Sequence, residues 1–103
     1  MITHTLKSDP SSFKEVYDGK RHFEIRYNDR GYGVGDELIL RETRFSAIDM
    51  ADGSPLEFTG KEIMAHVTSI MHGPIYGLNK GWCIMSIQVY GTVHYPDLEV
   101  DPS

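Results

Sequence analysis

Apolar and polar residues alternate over Ile2–Leu6, the pattern of a short first strand. Asp9-Pro10 then reads as a helix start, an Asx cap followed by proline at the first helical position. Phe13, Val16 and Tyr17 form one apolar stripe at helical spacing, and Gly19 supplies the stop, so residues 10–18 are predicted to be a short amphipathic helix. A strand follows at once. Its alternation sets Phe23, Ile25 and Tyr27 on one side and His22, Glu24 and Arg26 on the other. The first set is expected to enter the core, and the second to make a charged surface facing a ligand.

Asn28-Asp29-Arg30-Gly31 and Gly33-Val34-Gly35-Asp36 carry turn chemistry. Glu37–Phe45 reads as a strand with Leu38 and Leu40 inward. Residues 46–57, with Asp52-Gly53-Ser54-Pro55, read as a loop or wide hairpin. Phe58–Met71 is a long, bent strand and Trp82–Tyr90 a final one, joined by a glycine-rich loop. Gly91–Ser103 holds two prolines and little periodicity, and reads as a loosely attached acidic tail to a single domain over residues 1–90. The resulting order, β-α-β-β-β-β, is α+β and mainly β. Five strands and one helix in so short a chain favour a small, strongly curved mixed β-sheet or barrel, because closure covers strand edges.

Composition narrows the chemistry. The chain has 103 residues, 40 % of them hydrophobic and 24 % charged, as in ordinary globular domains. The net charge of −5 argues against sequence-blind duplex binding. The charge is uneven: residues 1–30 carry six cations against five carboxylates, and residues 31–103 carry four against ten. A small cationic patch on an acidic body suits a confined ligand. The one cysteine, Cys83, sits among Trp82, Ile84 and Met85 and reads as a buried thiol. No leader or spanning run is visible, so a cytoplasmic protein without a membrane partner is expected. Histidines 4, 22, 66, 72 and 94 lack ligand spacing, so neither a metal nor another cofactor is expected.

Gly19-Lys20-Arg21-His22-Phe23-Glu24-Ile25-Arg26 resembles the G-x-K-x-x-E-x-R signature of the ASCH/PUA-like superfamily, with Arg21 at the lysine position. Leu6-Lys7, Phe13, Asn28-Asp29-Arg30, Val34-Gly35-Asp36, Leu38, Thr59-Gly60 and Ser86-Ile87 are similar to an uncharacterised prokaryotic and phage family of that superfamily. The resemblance implies a PUA-like, ASCH-type barrel with one packed helix, and a cleft beside the signature strand that binds RNA or nucleotides. Some ASCH proteins are amidohydrolases on N4-acetylcytidine, in which the signature lysine activates a threonine three residues later. Here those positions are Arg21 and Glu24. An arginine stays protonated and is a poor base, and Glu24 lacks the hydroxyl for acyl transfer.

The leading expectation is therefore RNA or nucleotide recognition by Arg21, Glu24 and Arg26, with Lys7, Lys20, Asn28 and Arg30 at the rim. A guanidinium can fork onto phosphate, and a carboxylate can accept from a base amine. The bland reading of the same residues is an ion-pair ladder. Strict alternation sets Lys20, not Arg21, on the face of Glu24 and Arg26, unless the chain bends after Gly19. Tyr76 and Trp82 are either stacking platforms or loop anchors. The alternatives are a hydrolase using Glu24 with Lys20 or Lys7, and a protein-interaction module acting through the tail.

Overall fold

The computed structural model describes residues 1–95. Five strands and two helices follow in the order β1 (Thr3–Ser8), α1 (Pro10–Tyr17), β2 (Phe23–Tyr27), β3 (Glu37–Thr43), α2 (Ala47–Ala51), β4 (Phe58–His72) and β5 (Trp82–His94). One sheet takes all five strands in the order β1-β3-β4-β5-β2. β1 runs parallel to β3, and every other pair is antiparallel. The sheet curls into a half-barrel, and among the described residues β1 and β2 each keep one unpaired edge. The expected strongly curved sheet or barrel is an open half-barrel.

Alternation along the strands builds the core. His4, Leu6 and Ser8 point inward from β1, and Leu38 and Leu40 do so from β3, as their spacing predicts. β4 adds Ile63, Ala65 and Val67, and β5 adds Cys83, Met85 and Ile87. Cys83 is a buried free thiol whose pKa is pushed up by that burial. The long strand β4 is bent as expected, with register shifts against β5 between Met64 and Ala65 and between Val67 and Ser69.

α1 lies where its stripe predicts and buries Phe13 and Val16. Gly19, with φ +76°, takes the left-handed position that ends it. The Asx cap differs from the expectation. Asp9 occupies the cap position, but its carboxylate accepts from the Ala47 N–H at 3.1 Å and leaves its own helix uncapped. α2 replaces part of the loop expected over residues 46–57. Ser46 caps it by accepting from the Asp49 N–H. One turn of helix is too short to show a period, so only the cap pattern marks it.

β5 runs to His94 and pairs with β4 as far as Lys61. Residues 91–94 are therefore sheet rather than tail, and residues 96–103 of the expected tail lie outside the described residues.

Candidate functional site

The gap in the half-barrel is a cleft of about 680 Å³. Its walls are the ends of the sheet. Leu6, Lys7 and Ser8 of β1 line one side, and all five residues of β2 line the other. Arg30 crosses between them and donates from Nη1 to the Thr5 carbonyl at 3.2 Å, on the strand edge that β3 leaves free. Asp9 and Ser12 from the start of α1, Ala47 from α2, Tyr32 and Trp82 complete much of the lining.

Register, not hydrophobicity, sets the faces of β2. Glu24 lies opposite Met85 and Arg26 opposite Cys83, and both β5 partners are buried. Glu24 and Arg26 therefore point to the inner side of the half-barrel. Phe23, Ile25 and Tyr27 point to the other side and are exposed. This reverses the expected faces. β5 carries the more continuous apolar set on its inner face, and the short edge strand follows its partner.

Glu24 is only 5 % exposed. Its Oε1 accepts two hydrogen bonds from Arg26, from Nη2 at 2.7 Å and from Nε at 3.0 Å. That pairing holds a charge at a buried wall of the cleft. Arg21 also reaches the cleft, although alternation set it apart from Glu24 and Arg26. Its guanidinium pairs with Glu15 at 3.1 Å and lies 5.2 Å from the centre of the Phe23 ring. The turn after α1 breaks the strand alternation here, with Lys20 and Arg21 both donating their N–H groups to the Glu15 carbonyl.

The cleft thus brings together Lys7, Arg21, Glu24, Arg26 and Arg30. Lys20 and Asn28, expected at the rim, are not among its lining residues. Lys20 stays in the turn. Asn28 spends its Oδ1 on the Tyr32 N–H at 3.0 Å, so it shapes the chain behind the cleft. Trp82 lines the cleft, 38 % exposed, with its ring edge-on to Tyr27 at 5.9 Å. Tyr76, 90 % exposed on the β4–β5 loop, does not line it. Residue patterns missed Ser8, Asp9, Ser12 and Tyr27. The signal for the first three is the abrupt passage from β1 into α1, which turns a strand end and a helix start onto one wall.

Burial raises the pKa of Tyr32, and Arg26 and Arg30 pull it the other way. Among the described residues, no group of three or more His, Cys, Asp or Glu is placed to hold a metal ion, and no helix is long and apolar enough to cross a membrane.

A family model described as a domain of unknown function, DUF3850, matches residues 3–87. The chain belongs to the DUF3850 family. No curated protein matches it. The DUF3850 span takes in every residue of the cleft, from Leu6 to Trp82, and most of the sheet that positions them.

Proposed function

We propose that the cleft binds a nucleotide unit, free or within a single-stranded RNA, and that the half-barrel is a PUA-like fold of ASCH type. The observation that carries the reading is the Glu24–Arg26 pair. A carboxylate fixed at a buried wall, with one oxygen held by a guanidinium, can accept from the exocyclic amine of cytosine or adenine. Tyr27 and Trp82 line the same cleft from the other face of the open edge, and base stacking contributes about 1–3 kcal/mol per base. The cleft holds four cations against three carboxylates on a chain of net charge −5. That balance favours a confined ligand over a long polyanion.

Calorimetric titration with cytidine, adenosine and uridine monophosphates at two salt concentrations tests this. The wild type is expected to favour the two amine-bearing bases over uridine by about tenfold. Glu24→Gln is expected to change that preference, and Arg21→Ala to weaken binding to all three and flatten the salt dependence. No binding by any of them rejects the reading. Turnover of N4-acetylcytidine above the uncatalysed rate, abolished in Glu24→Gln, would instead place the cleft among hydrolases. In that case Lys7, rather than Lys20, is the lysine lining the cleft.

A further inference from the structure

One end of the cleft carries chemistry that a base does not need. β1 ends at Ser8 and α1 begins at Pro10, so the chain turns from strand to helix in the cleft wall. Ser8 is 2 % exposed, and its Oγ meets no hydrogen-bond partner among the described residues. Leu6 and Ser8 share the inner face of β1, and both line the cleft. A folded chain leaves few buried hydroxyls unengaged, because each costs stability.

The start of α1 beside it also has free N–H groups among the described residues. Pro10 has no N–H, and the first bond at this end of the helix runs from the Phe13 N–H to the Asp9 carbonyl. The N–H groups of Ser11 and Ser12 therefore precede the intrahelical ladder. Among the described residues no side chain caps them, because Asp9 turns its carboxylate to Ala47. Lys7 also lines the cleft, from the exposed face of β1 opposite Leu6 and Ser8. An uncapped helix start, an unpartnered hydroxyl and a cation on one wall are the elements of an oxyanion site.

We propose that this end of the cleft is a phosphate subsite for the nucleotide, which rests on the reading above for the base but not for the anion. Ser8 Oγ and the first-turn N–H groups donate to the phosphate oxygens, and Lys7 balances their charge. Asp9 opposes the anion and limits its affinity. The near-complete burial of Ser8 favours a terminal phosphate monoester over a diester within a chain.

The test titrates cytidine, cytidine 5′-monophosphate and the dinucleotide CpC into the wild type, Ser8→Ala and Asp9→Asn. The monophosphate is expected to bind the wild type about tenfold more tightly than cytidine. Ser8→Ala is expected to close most of that gap, while its unfolding midpoint holds or rises because it no longer buries an unpartnered hydroxyl. Asp9→Asn is expected to widen the gap, since the amide oxygen still accepts from Ala47 while the like charge is gone. Equal tightening by CpC would overturn the preference for a terminal phosphate. Equal binding of cytidine and its monophosphate overturns the subsite and leaves base recognition standing. If neither binds, the base reading falls. The subsite then requires saturable shifts of the Ser12 amide with inorganic phosphate that vanish in Ser8→Ala, and their absence overturns it.

Discussion

Arg26 spends both Nε and Nη2 on a single oxygen of Glu24, two residues back on the same strand. The two side chains share a face because residues i and i+2 of a strand do. That face looks into the half-barrel because β5 sets the register. The pair is at once a structural element of the open edge and the polar feature of the cleft. A ligand amine would meet a carboxylate whose position is already fixed, so little ordering is left to the moment of binding.

The pair should be strongly coupled. Glu24 is buried, whereas the Arg26 side chain is about a quarter exposed. Arg26→Ala leaves an unpaired carboxylate at the wall and should cost about 2–3 kcal/mol, discounted for the partial exposure. Glu24→Gln keeps a hydrogen-bond acceptor and should cost about 1 kcal/mol. A double-mutant cycle by urea unfolding reads the coupling. A coupling energy near zero would show an exposed contact of no structural weight.

The elements with a long repeating pattern were legible in the sequence: α1 from Phe13, Val16 and Tyr17, and β3 from Leu38 and Leu40. The faces of β2 were not. Phe23, Ile25 and Tyr27 form the more apolar set, but the inner side is fixed by the pairing of Glu24 with Met85, which lies some sixty positions away along the chain. Five of the seven expected ligand residues reach the cleft: Arg21, Glu24, Arg26 and Arg30 lie in β2 and its flanks, and Lys7 reaches it from β1 across the gap. Ser8, and the place of Asp9 in the cleft wall, were not legible because they depend on where a strand end meets a helix start, and one-residue properties do not carry that. The contact between His4 and Asp36 joins positions 32 apart and left no local mark.

That contact predicts an acid limb. Asp36 Oδ2 lies 2.9 Å from His4 Nε2 and also accepts from the Gly33 N–H, while Oδ1 accepts from the Ile2 N–H. These bonds, the His4 bond foremost, hold the carboxyl below its ordinary value of 3.8. A folded pKa below the unfolded one stabilises the fold fully above the unfolded value. The stabilisation is lost as pH falls through the lower, folded value. The thermal midpoint of the wild type should therefore drop on acidification, and Asp36→Asn should drop less steeply. Parallel midpoint curves from about pH 2 to about pH 6 would remove Asp36 from the acid response.

Gly81 should be intolerant of a side chain. Its φ is +88°, and a Cβ there would lie 2.7 Å from Cε1 of Tyr27. Its carbonyl also accepts from the Asn28 N–H at 2.8 Å, which fixes the end of β2. Gly81→Ala combines backbone strain with displacement of a ring in the cleft wall and should cost about 1–3 kcal/mol. Gly53 supplies the control. Its φ is +113° and a Cβ would meet nothing within 4 Å, so Gly53→Ala carries the backbone cost alone. Near-ultraviolet circular dichroism should change for Gly81→Ala and stay constant for Gly53→Ala, and equal spectra would show that Tyr27 is not held by this contact.

Trp82 is the only tryptophan in the chain, so its fluorescence reports on the cleft. It is partly exposed, and the Tyr27 ring stands edge-on to it. A base stacked on either ring should shift the emission and shield Trp82 from acrylamide. Tyr27→Ala removes one platform and should weaken cytidine monophosphate binding about five- to 150-fold, since stacking contributes about 1–3 kcal/mol. Stability should change little, because Tyr27 is 55 % exposed and leaves no buried void. Calorimetry supplies the independent measure of occupancy. If saturation by heat leaves the acrylamide quenching of Trp82 unaltered, the base does not lie against this wall.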